Sequence, residues 1–338
     1  MKKFVVFTLL VVLVCVAGVF VVRKNKSPPS VPLASPSPAA SLPPSALPSV
    51  SFPRLEVAPT EVIYSVGALP SSVPSSVSLY EVLPIGSFGD VAQGLAGSFG
   101  FSGSPQQTAM DSAVAFLWDN GEQSFSFLTD PLSFGYYRRT LGTSPLIQTD
   151  GEYKDAAIAF IKKTVGLFVG GSLSSPVISY LAPKNNDPIQ TTRNKATVVR
   201  LEFRLFVDGL PLLSGYPDIP TYVLWMDGTG SVVRLVGAYF PGVRYSGSSV
   251  SLVGVTGATN RLLSGGGSLL SVYSVADRNK VETQYYFFNS VSITSVGVSY
   301  YYGAGSASFV PVYEFRGTAQ DKDTKRRIEI ISLVPALP

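Results

Sequence analysis

The chain contains no histidine, and its single cysteine, Cys15, lies inside a hydrophobic segment. Without histidine there is neither a Ser-His-Asp triad nor a histidine-ligated metal site. The remainder of the chain has no thiol nucleophile and no disulfide, and it shows no phosphate-binding or nucleophile-elbow motif. The sequence therefore predicts a non-enzymatic protein without a cofactor or a metal.

Carboxylates leave one catalytic alternative open. Two converging acids are enough for a glycoside hydrolase, but nothing in the sequence says which two would pair. The acids that are candidates for such a pair are Asp111, Asp119, Glu122, Asp130, Asp218 and Asp227. Several of them fall at predicted turns, where aspartate is common because its side chain hydrogen-bonds the nearby backbone.

Charged residues are scarce, at 14% of the chain, and basic ones are concentrated at its start. Residues 1–26 contain no acid and five basic residues, which are Lys2, Lys3, Arg23, Lys24 and Lys26. Taking these five from the 26 basic residues leaves 21 against 22 acidic ones, a net charge of −1. A domain near neutrality lacks the basic surface that nucleic acid requires, so no nucleic-acid partner is expected.

Residues 4–22 form an uncharged hydrophobic run. As a helix with a rise of about 1.5 Å per residue, the run would be roughly 28 Å long, close to the ~30 Å hydrocarbon core of a bilayer. It predicts a transmembrane signal-anchor over residues 1–26 of a single-pass cell-membrane protein, with membrane contact through 4–22 and an extracytoplasmic C-terminal domain. One alternative is a cleaved signal peptide, although the hydrophobic run is longer than usual for one. The other is lipidation of Cys15, although bulky valines stand before it where small residues are generally required.

The segment 27–53 has nine prolines and no charge. Such a composition favours extended polyproline geometry and predicts a disordered Pro/Ser-rich stalk. The alternative is a proline-rich ligand for a recognition domain, but the segment itself contains no basic residue to orient it.

Beyond residue 53 the pattern changes three times from a helical stretch to strands. The helices are predicted at 90–99, at 149–168 with a capping box between Thr149 and Glu152, and at 257–263. Gly170 and Gly171 are expected to end the second helix. The sequence thus predicts an α+β fold, in which the N-terminal transmembrane helix precedes repeated units of a helix packed on an antiparallel sheet. These units cover residues 54–148, 149–246 and 247–338.

Alternating residues predict the clearest strands. The strand at 197–207 places five apolar residues on one face and charged residues on the other, which indicates one buried and one solvent-exposed face. Hairpins are predicted at 113–128, around Asn120-Gly121, and at 222–236, around the turn at 227–230. Further strands are expected at 134–138, 281–288, 291–302, 309–316 and 327–334.

Two aromatic runs are candidates for a partner-binding surface. They supply Tyr285 and Tyr286 from one run and Tyr300, Tyr301 and Tyr302 from the other. Adjacent residues of a strand face opposite ways, so each run must place a ring either in solvent or against a second layer. A sheet buried on both faces is the alternative to a platform for a protein, peptide or glycan.

The C-terminal half resembles the exported proteins of the YycH/YycI type. The resemblance lies in the strand and turn of Val198–Leu212, the turn Met226–Gly230, the helix before Gly265, and the strand Phe309–Gly317. Those bacterial proteins carry α+β repeats similar to PepSY modules and modulate a membrane sensor kinase, and the resemblance implies no catalytic residue. The leading hypothesis is thus a membrane-tethered, extracytoplasmic domain that binds or regulates a protein partner in the membrane or envelope. The alternative is a glycan-binding protein of the cell envelope or a carboxylate-dependent hydrolase.

Overall fold

A computed structural model describes most of the chain beyond the predicted stalk. The described residues are 62–67, 69, 73–110, 113–168, 170–184, 187–214, 220–274, 287–303 and 306–338. They form nineteen strands, three α-helices and one short 3₁₀-helix.

The helices are α1 (Phe88–Ser98), α2 (Asp150–Thr164) and α3 (Val255–Leu263), and the 3₁₀-helix is Arg193–Lys195. The strands, in chain order, are β1 (Ile63–Val66), β2 (Ser76–Val82), β3 (Gln106–Ala109), β4 (Val114–Asp119), β5 (Gln123–Thr129), β6 (Leu132–Arg138), β7 (Gly171–Leu173), β8 (Val177–Lys184), β9 (Asp187–Thr191), β10 (Val198–Phe203), β11 (Leu205–Val207), β12 (Leu210–Ser214), β13 (Tyr222–Asp227), β14 (Val232–Ala238), β15 (Val243–Ser251), β16 (Ser268–Ser274), β17 (Ser290–Tyr302), β18 (Ser308–Gln320) and β19 (Arg327–Pro335).

The strands form two large sheets. The nine-stranded sheet has the order β3-β4-β5-β6-β14-β13-β10-β8-β9, and all its neighbours are antiparallel. The ten-stranded sheet follows the order β15-β2-β18-β17-β12-β11-β7, with β1 also beside β17 and the pair β16-β19 beside β18. Its strands β1 and β12 run parallel to β17.

Helices α1 and α2 pack on one face of the nine-stranded sheet. The capping box that begins α2 is present, with the Thr149 side chain accepting from the Glu152 amide and the Glu152 carboxylate accepting from the Thr149 amide. The helix ends at Thr164, before Gly166 at φ +78°, which is earlier than the predicted stop at the later glycine pair. Its buried side chains, Tyr153, Ala157 and Ile161, join the aromatic core under the sheet.

The predicted strand at 197–207 is divided between the two sheets. All five of its alternating apolar side chains are fully buried, as expected. The strand breaks at Arg204, so that β10 belongs to the nine-stranded sheet and β11 to the ten-stranded one. Leu132, Leu167 and Leu173 pack against the cores of both sheets, so the two cores are continuous.

The predicted α+β repeat fold is wrong. The protein is mostly β-sheet, and its three described helices do not each cover a sheet of their own. The reason is non-local pairing, because β14 pairs with β6, from the first predicted unit, and β12 of the second pairs with β17 of the third. Local patterns specify strands and turns but do not specify which distant strand completes a sheet.

The predicted single-pass anchor is not supported. Within the part of the chain that the structure describes, none of the helices has the length and apolar character needed to cross a bilayer. The segments 1–26 and 27–53, to which the anchor and the stalk were assigned, lie outside the described residues. Within the described residues the structure shows two β-sheets and no membrane-spanning helix, and the single-pass membrane localisation predicted above is corrected to a β-sheet protein in that part of the chain.

Candidate functional site

Three of the five tyrosines predicted to bind a partner are buried. Tyr300, Tyr301 and Tyr302 are at most 8% exposed. Tyr300 and Tyr302 lie in the core of the ten-stranded sheet, where the Tyr300 hydroxyl donates to the Ser78 carbonyl at 2.7 Å. Tyr301 points to the opposite face, in a small apolar cluster with Leu213. This arrangement fits the alternative of a sheet buried on both faces, and the predicted pair at positions 285 and 286 lies outside the described residues.

The candidate carboxylates that the structure describes lie in three turns. Asp119 accepts from the Gly121 amide in the β4–β5 turn and pairs with Arg139 at 2.5 Å. Asp227 is 7% exposed in the β13–β14 turn, where its Oδ1 accepts from the Thr229 amide and hydroxyl and from the Ser231 amide. Glu122 shares the first of these turns, Asp130 lies in the β5–β6 turn, and positions 111 and 218 are not described. Among the residues described, no cluster of three or more acids is present.

A different group of side chains stands out on the nine-stranded sheet. We call the face opposite to α1 and α2 the outer face, and no described α-helix packs on it. Because side chains alternate along a strand, the buried residues Leu201, Leu224 and Leu235 face the helices, while their neighbours in sequence face outward. The outer face therefore carries partly buried polar and aromatic side chains, beside a small cluster of buried apolar ones formed by Leu181, Val198 and Val233.

Four residues form a row across the centre of this face. In register, Arg200 of β10 lies opposite Trp225 of β13, Trp225 opposite Arg234 of β14, and Arg234 opposite Tyr137 of β6. The Arg234 guanidinium carbon lies 4.7 Å from the centroid of the Trp225 ring and 4.8 Å from that of Tyr137. Both distances are within the ~6 Å range of a cation–π interaction. We call these four residues the arginine–aromatic row.

A glycine makes room for the tyrosine of the row. A Cβ atom added to Gly135 would lie 2.8 Å from the Tyr137 ring, so the ring covers the glycine backbone. The ring therefore lies along the sheet rather than standing away from it, in a position where it can be covered by the Arg234 guanidinium. A larger residue at position 135 would displace the ring and with it one side of the cation–π stack.

The two arginines of the row differ in charge compensation. Arg200 forms an ion pair with Glu202 at 2.7 Å, and its side chain is 27% exposed. Among the residues that the structure describes, Arg234 has no carboxylate within 4.0 Å. Its polar contacts in that set are the two cation–π contacts with the rings. Its Nε atom is buried without a hydrogen-bond partner in the same set of residues, as are Arg200 Nε and Trp225 Nε1.

The surroundings of the row are apolar on one side. Leu141, from the loop after β6, packs with Trp225 against the buried side chains of Leu181, Val198 and Val233. This loop also approaches the β13–β14 turn closely, because a Cβ on Gly228 would lie 2.3 Å from the Pro145 carbonyl oxygen. The row is thus bordered by an apolar patch and by a loop that packs closely against the β13–β14 turn.

Two cavities of the described residues lie away from the row. A groove of about 390 Å³ lies where α1 and α2 approach the sheet, and Phe99, Tyr136, Phe160 and Met226 line it. A smaller cavity of about 220 Å³ lies beside Trp118 at the β4–β5 turn. Neither contains a group of acids, and neither holds a residue with the uncompensated charge of Arg234.

Sequence analysis missed the row as a unit. The alternation of the 197–207 strand predicts a solvent-exposed face with Arg200, and the sequence also predicts the β13–β14 hairpin. Pairing across that hairpin places Trp225 near Arg234, so these two residues of the row can be predicted to be neighbours from the sequence. Tyr137 cannot be placed in this way, because its strand is almost a hundred residues away along the chain.

Comparison of this chain with known protein families, with characterised proteins and with solved structures finds no match. The resemblance to the YycH/YycI type therefore stays a prediction, and the function has to be argued from the site itself.

Proposed function

We propose that this protein is a non-enzymatic binding protein that contacts a protein partner through the outer face of its nine-stranded sheet. The observation that carries the proposal is the arginine–aromatic row at the centre of that face. Regulation of the partner through this contact is the activity that we propose for the protein.

The residue types of the row support recognition rather than catalysis. Tryptophan, tyrosine and arginine are the residues most enriched among those that dominate binding energy at protein interfaces. They bury a large area with few rotatable bonds, and here the stack already holds Arg234 in place before a partner arrives. A preorganised anchor lowers the entropy cost of binding.

The positions of the acids also support binding. A carboxylate-dependent hydrolase needs two acids on either side of a substrate, whereas Asp119 and Asp227 are engaged by backbone amides in turns of different hairpins. Glycan binding at the same face is the competing function, and the experiments below separate it from protein binding.

Site-specific crosslinking in the organism of origin tests the proposal. A photoreactive amino acid is placed at Val223 on the outer face, beside the row, and in a matched variant at Asp155, an exposed position of α2 on the opposite side of the same sheet. We expect a discrete protein adduct from position 223 only. The adduct should disappear when Trp225→Ala is added and should persist with Arg244→Gln, a change at an exposed arginine of the other sheet.

Two results would contradict the proposal. One is the same adduct from positions 223 and 155, and the other is an adduct at position 223 that is insensitive to the loss of Trp225. Circular dichroism of the Trp225→Ala variant checks that the sheets remain folded, so that loss of the adduct reports on the contact.

A further inference from the structure

The geometry points to a carboxylate as the group that Arg234 binds, and we infer that it belongs to an acidic side chain on the protein partner, flanked by apolar residues. This inference rests on the proposed function, because it assigns the chemistry of the same face. It goes further in naming the ligand group, the residue that receives it and the direction of approach.

The stack determines how a ligand can reach Arg234. The Arg234 guanidinium carbon lies over the rings of both Trp225 and Tyr137, at 4.7 and 4.8 Å from their centroids. A ligand that leaves both rings in place therefore reaches the guanidinium group from the directions that the rings do not cover. With Nε buried, the terminal nitrogens at the outer end are the donors that remain for it. Two parallel N–H bonds in one plane match the two oxygens of a carboxylate.

The charge balance of the face favours an anion. Glu202 compensates Arg200 at 2.7 Å, whereas Arg234 has no acidic partner in the described part of the chain. A partly buried cation without a counter-charge is stabilised when a carboxylate arrives, and no acid of the outer face has to be displaced first. A basic partner would meet repulsion at the same place.

The neighbourhood of the row favours a protein segment over a glycan. Apolar side chains border the row, with the pair Val223 and Val236 on one side of it and Leu141, beside Trp225, on the other. A sugar chain presents many hydroxyl groups that need hydrogen bonds, and the side chains named here offer few. An acidic residue between apolar ones would place its carboxylate on Arg234 and its neighbours on the valines and the leucine.

The two tryptophans of the chain provide the readout. The Trp118 Nε1 group donates to the Gly103 carbonyl at 3.1 Å inside the protein, whereas Trp225 Nε1 has no partner among the described residues. Nitrogen-15 NMR spectra of the full chain should therefore contain two indole signals, which Trp118→Phe and Trp225→Phe assign. Only the Trp225 signal is expected to move when a ligand occupies the row.

The probes are poly-L-glutamate, polygalacturonate, inorganic phosphate and poly-L-lysine, each added to the full chain. Poly-L-glutamate should shift the Trp225 signal and leave that of Trp118 in place, and the shift should weaken as salt is raised. In Arg234→Gln we expect binding about tenfold weaker or more, because the charge-assisted hydrogen bonds are lost. Arg244→Gln is the matched control, since Arg244 is an exposed arginine of the other sheet, and it should leave the affinity unchanged.

The outcomes separate this inference from the proposed function. Equal affinity of Arg234→Gln and Arg244→Gln for poly-L-glutamate overturns the assignment of the carboxylate to Arg234. A shift with polygalacturonate or phosphate but not with poly-L-glutamate overturns the assignment to a protein side chain, while the outer face remains a binding surface. A shift with poly-L-lysine alone overturns the charge argument. If no probe moves the Trp225 signal, the inference fails, and the crosslinking at position 223 decides independently whether the proposed function fails with it.

Discussion

The stack of Arg234 between two rings makes a quantitative prediction about folding stability. The perturbation is a double-mutant cycle of Arg234→Met and Trp225→Leu, in which methionine removes the charge but keeps an unbranched side chain of similar length. The cycle isolates the interaction between the two residues, since contributions that each makes alone cancel.

The magnitude follows from the geometry. At 4.7 Å from the ring centroid and partly buried, the pair lies between an exposed cation–π contact of about 0.5 kcal/mol and a desolvated one of about 2 kcal/mol. We expect a coupling free energy of about 1 kcal/mol. Arg234→Met alone should change the free energy of unfolding less than that, because it also removes a buried Nε–H group that has no acceptor among the described residues.

Urea unfolding of the four proteins of the cycle, followed by circular dichroism, measures the coupling. The control is a second cycle of Arg244→Met and Trp225→Leu, in which the two sites belong to different sheets and should be additive within about 0.5 kcal/mol. If the Arg234–Trp225 coupling is no larger than that of the control, the two side chains do not stack, and the argument built on the row is refuted.

Three further substitutions test other parts of the account. Gly228→Ala should lower the free energy of unfolding by about 2–3 kcal/mol, because its Cβ would lie 2.3 Å from the rigid backbone carbonyl of Pro145; urea unfolding measures this. Asp321→Asn should cost stability at neutral pH but not in acid. Hydrogen bonds, chiefly from the Thr324 hydroxyl, lower the pKa of Asp321, so its contribution is present above the unfolded pKa of about 3.9 and is lost as pH falls through the folded one. Tyr80→Phe should reduce the loss of stability between pH 10 and 12, because burial and the hydrogen bond to Asp208 raise the pKa of Tyr80 to about 12. Its contribution is complete below pH ~10 and declines as the pH rises above that value.

Each of these three substitutions has a matched control variant and a result that would contradict its argument. Gly94→Ala, in an exposed turn of α1 with no atom near its Cβ, should instead stabilise the protein by about 0.5–1 kcal/mol. Asp323→Asn, at an exposed position of the same loop, and Tyr245→Phe, at a 52% exposed tyrosine, should have little effect. The respective arguments fail if Gly228→Ala is tolerated as well as Gly94→Ala, if the cost of Asp321→Asn is the same at pH 3 and pH 7, or if Tyr80→Phe leaves the alkaline profile unchanged.

Much of the local structure could be predicted from the sequence, because the interactions that specify it are local. The capping box of α2 lies within four residues, and the β13–β14 hairpin is specified by the turn at Asp227 and by alternation on either side. The break at Arg204 was not predictable in the same way, because the alternation of buried residues continues through it without interruption. A strand can pass from one sheet to another without a change in its alternation of apolar and polar residues, since here the same side of the strand is buried in both sheets.

The sheets and the candidate site depend on pairings between distant segments. The row exists because β14 pairs with β6 in the register that places Arg234 beside Tyr137, and no local signal specifies that register. The buried tyrosines at 300–302 show the same limitation. Alternation predicts that adjacent rings face opposite ways, but only the complete sheet shows that both sides are covered at that place.

The central claim is that the outer face of the nine-stranded sheet is open to a partner at Trp225. Oxidative footprinting of the full chain tests it most directly, with mass spectrometry to compare the oxidation rates of the two tryptophans. Trp118 is 4% exposed and serves as the internal reference. The account predicts that Trp225 is oxidised several-fold faster than Trp118, whereas equal and slow oxidation of both would show that the outer face is covered and would contradict it.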